Sequence, residues 1–284
     1  MLPFMLAAAL LAEPPTSGQI VVVSGDWSIT FDAARAWTIH HIDWRGRTLS
    51  HGRGFHGLVY QTGTPVKPGA TVSFVGTGHD EGGREQVESL VLTVDGQEQP
   101  PEIDRTYRAQ CFVLRKRSLL ANLRHEAEIT VEPAKVTERH QLEALQDQPV
   151  NTLYAFMHCW ETSFNRWLAK LPDGALTEGE FTAAKDFKVR ADVAWSSLFD
   201  ETAGVGVVTG YPEVYRTMFN APGTVYWDQP VYHKQYLWVA GKGTLTKGTK
   251  LDWTLGLNAF AATADTWRAA AAAQAEQLFA KKAD

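Results

Sequence analysis

Between positions 123 and 132 the chain alternates. Leu123, Ala127, Ile129 and Val131 fall on one side of an extended backbone, with His125 among them, while Arg124, Glu126, Glu128, Thr130 and Glu132 fall on the other. A period of two is what a strand with one buried face requires, and a helix would scatter those residues around its axis. Short β-rich runs of this kind recur along the sequence, at 20–23, 27–31, 37–44, 55–61, 71–75, 87–94, 110–119, 187–193, 194–199, 204–209, 225–227, 232–239 and 251–260. Turn signals separate them, among them Ser24-Gly25-Asp26, Asp95-Gly96 and Pro172-Asp173-Gly174. Two stretches are less plain. Residues 136–145 read as strand or helical turn, and 164–171 as a short helix or loop. There is no βαβ alternation, fixed-period repeat or linker. The expectation is an all-β chain, a large antiparallel β-sandwich forming one domain over 13–284.

The exception is 263–282, which is rich in alanine and lacks proline and glycine. Helical spacing puts Trp267, Ala271 and Leu278 on one side, and Asp265 or Thr263 would cap the start. The spacing predicts a carboxy-terminal α-helix over about 263–282.

Charge narrows the function classes. A net charge of −5 gives no electrostatic footprint for nucleic acid. The one basic cluster, Arg115-Lys116-Arg117, reads as a solvated strand end. Residues 1–12 are apolar and then break at Glu13-Pro14-Pro15, which resembles a secretory signal cleaved after Ala12 and implies a periplasmic or extracellular protein. That segment is too short to span a bilayer, and no other qualifies as an integral membrane segment. Export would permit a disulfide between Cys111 and Cys159, the only cysteines; buried thiols are the alternative. No metal-binding cysteine spacing and no cofactor motif is present.

Three stretches carry candidate chemistry. In 151–165, strict alternation places Thr152, Tyr154, Phe156, His158 and Trp160 on one face, with Leu153, Ala155, Met157 and Cys159 on the other. Tyr154 and Trp160 would stack on a sugar ring while His158 moves a proton, with Glu161 as a partner at the strand end. In 76–85, glycines flank His79, Asp80, Glu81, Arg84 and Glu85. Arg84 would grip a carboxylate, and His79 with Asp80 or Glu81 could hold a divalent ion. In 226–238, Tyr232, Lys234, Tyr236 and Trp238 share one face, with His233 and Gln235 on the other. A Tyr232–His233 pair could serve as base and acid in elimination from a uronate. The ten tryptophans point the same way, since aromatic faces suit the apolar face of a pyranose.

The segment Asn151 to Asn165 resembles the part of aldose 1-epimerases in which Asn and His precede an aromatic-Asn pair. Leu245-Thr-Lys-Gly248-Thr-Lys-Leu251 resembles the turn into the final long strand of the galactose-mutarotase-like supersandwich group. That group includes aldose 1-epimerases and β-sandwich domains of polysaccharide lyases and glycoside hydrolases. The resemblance implies a supersandwich and, for His158, the part of general acid on the ring oxygen. The epimerases' late glutamate base and early Asn-Arg pair have no counterpart in matching context; Glu213 and Asp228 are only nearby acids.

Together these readings describe an exported protein that binds a sugar, acidic or neutral, on a concave sheet face lined by Tyr154, Trp160, Tyr232 and Trp238. His158, His79, His233 and Tyr232 are the candidate catalytic groups for epimerisation or elimination, with no cofactor. Arg84, Lys234, Glu161 and Glu85 are candidate substrate contacts. The alternatives are a non-catalytic carbohydrate-binding module and a metal-dependent protein built on His79, Asp80 and Glu81.

Overall fold

The computed structural model describes residues 14–52, 54–62, 74–79 and 81–280. The apolar amino-terminal segment, Asp80, most of the expected 71–75 run and the last two residues of the expected helix lie outside them. The described chain builds three sheets. The largest has ten strands, in the spatial order Leu176–Glu180, Arg166–Lys170, Trp195–Asp200, Val205–Gly210, Lys250–Ala261, Lys135–Ala144, Leu123–Glu132, Phe112–Leu120, Gln86–Val94 and Gln97–Gln99. A seven-stranded sheet runs Phe187–Ala191, Gly223–Asp228, His233–Ala240, Gln148–Trp160, Gly57–Thr62, Phe74–Val75, with Gly243–Leu245 also paired to Gln148–Trp160. A five-stranded sheet runs Arg47–Thr48, Thr38–Trp44, Trp27–Asp32, Gln19–Ser24, Thr106–Arg108. Neighbours are antiparallel except Gln19–Ser24 with Thr106–Arg108, which are parallel.

The ten- and seven-stranded sheets face each other. Tyr60 of one donates its hydroxyl to Leu120 O of the other (3.2 Å), and Tyr226 donates to Ser196 Oγ (2.8 Å). Alternation explains the layering. In Leu123–Glu132 the burial pattern alternates without a break, and His125 lies inward as expected. On the outer face the polar positions meet across strands: Arg115 with Glu128 (2.6 Å), Arg117 with Glu126 (3.0 Å), Arg124 with Glu143 (2.9 Å). Pairs this exposed add little stability each, but they keep a broad sheet face soluble.

The helix Trp267–Leu278 covers another part of that outer face. Trp267, Ala271 and Leu278 pack on Leu168, Trp195, Phe199, Val208 and Phe260. Trp267 stacks on Phe199 with ring centroids 5.1 Å apart. Gly206 leaves room for Phe260, since a Cβ there would stand 2.2 Å from its ring.

Several expectations change. The helix begins at Trp267 rather than 263, and neither Asp265 nor Thr263 is its N-cap; Thr266 is, with its hydroxyl accepting from Thr263 N (3.1 Å) instead of from the helix. The stretch read as a short helix or loop contains the strand Arg166–Lys170, because pairing on both sides overrides local propensity. The ambiguous 136–145 is strand. Lys116 is not solvated: it is 5 % exposed, inward between the outward Arg115 and Arg117. No disulfide joins Cys111 and Cys159. Among the described residues no helix is long and apolar enough to cross a membrane.

Trp267→Ala removes the anchor of the helix. Urea unfolding should show a loss of about 3–5 kcal/mol, the usual cost of deleting a buried tryptophan side chain.

Candidate functional site

The central strand Gln148–Trp160 does not alternate throughout. Against His233–Ala240 its register runs Tyr154 to Trp238, Phe156 to Leu237, Met157 to Tyr236, so Ala155 is an extra residue. Such a bulge reverses the faces of the residues beyond it. Tyr154 therefore shares a face with Met157 and Cys159, while Phe156, His158 and Trp160 turn inward. This corrects the single row from Tyr154 to Trp160: Trp160 and His158 are both 0 % exposed.

The outer face of the seven-stranded sheet is aromatic. Tyr154 packs on Tyr236 (centroids 4.3 Å) and edge-on to Trp238 (5.4 Å). Val59, Met157, Val225, Phe74 and Trp227 complete the cluster. Eight of the ten tryptophans are buried; the two left half-exposed, Trp227 and Trp238, are both on this face. Lys234 stands between them in sequence register, paired with Trp227 on one side and Cys159 on the other. Its ammonium lies 5.3 Å from the Tyr232 ring centroid, and the hydrogen-bond acceptor it reaches is the Met157 thioether (3.9 Å). Burial lowers the Lys234 pKa against the pull of Cys159 and Glu81. Burial also pushes the Cys159 thiol up to about 12.

The rim comes from two loops. His51 N donates to Cys159 O (2.8 Å), and Gly54 lies so close that a Cβ there would be 2.1 Å from Cys159 Cβ. The His51 ring lies 5.8 Å from Tyr232. From the other side, His79 lies 5.5 Å from Phe74, with its Nδ1 3.2 Å from both Glu81 carboxylate oxygens. Glu161 follows the strand end and acts on Cys159 electrostatically. Lys234, Tyr232, Tyr154, Trp238, His79 and Glu161 thus border one region. Trp227 and His51 join it unforeseen. The pairing of Trp227 with Lys234 across a hairpin at Asp228-Gln229-Pro230 was the available signal.

The other expected site residues lie elsewhere. His158 Nε2 lies 2.7 Å from Glu138 Oε1, in the core between the two sheets. Trp160 donates to Gln235 Oε1 (3.0 Å). His233 faces inward, stacked on Phe181 (3.9 Å) and 3.6 Å from Asp228, whose carboxylate accepts from Thr182, Ala183 and Ala184 N. It therefore does not act with Tyr232 as a surface pair. Glu85 is also buried, bonded by Lys116 Nζ (2.8 Å) and Ser118 Oγ (2.6 Å), which removes it from any substrate surface. Arg84 reaches Ala34 O (3.5 Å) beside a separate cavity. Asp80 lies outside the described residues, among which no group of side chains has the arrangement of a metal site.

The core holds a chain of ionisable groups that the sequence did not announce. His125 Nδ1 is 3.3 Å from Glu85, His125 Nε2 is 3.0 Å from His140 Nδ1, and His140 Nε2 is 3.7 Å from Glu138. His56 lies beside His158, tilted and with centroids 5.1 Å apart, and among the described residues neither of its nitrogens has a hydrogen-bond partner. Burial opposes the charged form of Glu138, yet His158 and His140 together outweigh it and hold the carboxyl well below its ordinary range. Lys116 and His125 do the same for Glu85. Burial pushes His125 and His233 down to about 4, and lowers His56 and His140.

Histidines depressed in the folded state bind protons in the unfolded state first, near pH 6.5. Their stabilising effect is full above that pH and is lost as pH falls toward 4. Thermal unfolding from pH 8 to 4 should show a Tm that is level at first and then drops below about 6.5. Glu138→Gln leaves the buried His158 without its anion and should cost about 3–5 kcal/mol, whereas Glu128→Gln, at an exposed pair, should stay within about 1 kcal/mol in the same urea titration.

No family model and no curated protein matches the chain. Solved structures do. Slr1438 protein from Synechocystis sp. PCC 6803 is similar at TM-score 0.55 and 9 % identity, over 87 % of this chain and 97 % of that one. The GH36 α-galactosidase AgaA from Geobacillus stearothermophilus is similar at TM-score 0.51 and 10 % identity, over 86 % of this chain but only 41 % of its own. A galactose mutarotase-like protein from Lactobacillus casei ATCC 334 is similar at TM-score 0.49 and 8 % identity, over 86 % of this chain and 100 % of that one. At such identities the likeness is one of fold: this chain shares the large antiparallel β-sandwich architecture of the Synechocystis protein and of part of the Geobacillus enzyme.

Proposed function

We propose that the outer face of the seven-stranded sheet binds a carbohydrate bearing an acidic group. The observation that carries this reading is the placement of tryptophan. A chain with ten of them buries eight and leaves two half-exposed on one sheet face, beside Tyr154, Tyr232 and a lysine. Aromatic rings suit the apolar face of a pyranose, and Lys234 suits a carboxylate. The hydrogen-bond acceptor that lysine reaches is the Met157 thioether, and Glu81 acts on it electrostatically, so it keeps donors for a ligand's carboxylate. A fold shared with a protein named α-galactosidase agrees with a sugar as ligand.

Chemistry on the bound sugar, by epimerisation or elimination, would fall to His79 and its Glu81 partner at the rim, with Tyr232 opposite. His158 is walled off by the sheet itself. That burial is also what favours the second reading, a binding module without turnover. Export belongs to the same proposal on the strength of the apolar start of the sequence, and mass spectrometry of secreted protein beginning at Glu13 would test it.

A panel of neutral and uronic sugars, titrated against tryptophan fluorescence and followed by proton NMR, tests both readings. Trp238→Ala should weaken binding of every ligand by about tenfold or more. Lys234→Gln should weaken uronates by about tenfold and leave neutral sugars unchanged. Anomer exchange or an unsaturated product that His79→Ala abolishes would establish an enzyme. Binding without conversion would make it a recognition module, and no binding by any sugar would reject the proposal.

A further inference from the structure

We propose that a second site, the cavity that residues 33–37 share with residues 78–79 and 84–87, binds a small organic anion through Arg35 and Arg84. The cavity has a volume of about 280 Å³, enough for a ligand of monosaccharide size. Arg35 enters from a short helical turn, Ala33–Arg35, and donates from Nη1 to Gly78 O (3.0 Å). Arg84 enters from the facing loop and donates from Nη2 to Ala34 O (3.5 Å). Each guanidinium is thus steadied by a backbone carbonyl of the opposite segment. Among the described residues neither has a carboxylate within ion-pair distance, and each keeps donors to spare in a planar fork suited to an oxyanion.

Among the described residues the nearby acids have partners of their own. Glu85, at the floor, is held by Lys116 and Ser118. Asp32 accepts from Ala34 N (2.8 Å) and Gln19 Nε2 (3.1 Å). Glu81 pairs with His79. Lys116 also donates to Ala36 O (2.6 Å), so a third cation lies beneath the cavity. The remaining walls are mixed, with Trp37, Val87 and Ala33 beside Thr16, His79 and Gln86. Trp37 is fixed there by its Nε1 bond to Pro15 O (3.0 Å). Cationic donors over walls that are part apolar and part polar fit a carboxylate or phosphate carried on a small polar carbon skeleton. His79 lines this cavity as well as the rim of the aromatic face, so the two sites share one residue.

Calorimetric titration of the whole chain with inorganic phosphate and, separately, with galacturonate tests this. Phosphate has no face to stack on tryptophan, so its binding is independent of the sugar proposal. Wild-type protein should bind phosphate, and affinity should fall as salt is raised from about 50 to 500 mM. Arg35→Gln and Arg84→Gln should each weaken phosphate by about tenfold, while Trp238→Ala should leave it unchanged. Both arginines are exposed, so the variants should unfold at the wild-type urea midpoint, which confirms that they are folded. Galacturonate binding that survives Trp238→Ala but not Arg84→Gln would support this cavity as the seat of an organic acid. Absence of phosphate binding by the wild type, or binding that both arginine variants leave intact, would overturn the proposal.

Discussion

A carboxylate without water needs a partner that does not move, and in this protein the partner comes from the opposite sheet. Glu138 belongs to the ten-stranded sheet and His158 to the seven-stranded one. Neither can slide by one residue without leaving a buried charge unpaired. The hydrophobic contacts around them, among Leu142, Phe156, Ala155 and their neighbours, would tolerate several packings. The hydrogen bond between Glu138 and His158 tolerates one. It fixes the registration of the two layers, and so fixes which side chains of the central strand face inward and which outward.

The fold was legible because most of its strands obey one rule. From Leu123 to Glu132 polarity alone gives the correct inner face, including His125. Tyr232, Lys234, Tyr236 and Trp238 are likewise grouped correctly, since no bulge interrupts them on their own strand. The rule failed where one residue was added. Ala155 is small and apolar and fits either face, so nothing in its identity marks the bulge, yet everything beyond it changes sides. Lys116 was hidden for a related reason. Its basic neighbours suggested a solvated cluster, and only the distant Glu85 makes an inward lysine tenable. The strand Arg166–Lys170 exists through its partners rather than its composition.

The candidate site shows the same division. Residues on one strand, or on strands joined by a tight hairpin, could be grouped from the sequence. Those supplied by the loops at His51 and His79 could not, because their arrival depends on tertiary packing such as the close approach of Gly54 to Cys159. Histidines were the most misleading signal. Four of them, His56, His125, His140 and His158, are used to build the core. A residue type chosen for proton chemistry near neutral pH serves here as a spacer between two buried anions.

The position of Lys250–Ala261 bears on how the molecule is made. This strand, the last among the described residues, lies in the middle of the ten-stranded sheet, between Val205–Gly210 and Lys135–Ala144. Until it emerges from the ribosome, the earlier strands form two half-sheets, each ending in an unpaired edge that faces the gap. Such edges pair readily with foreign chains. Synthesis and closure of the largest layer are thus separated in time, because the two half-sheets join only through Lys250–Ala261.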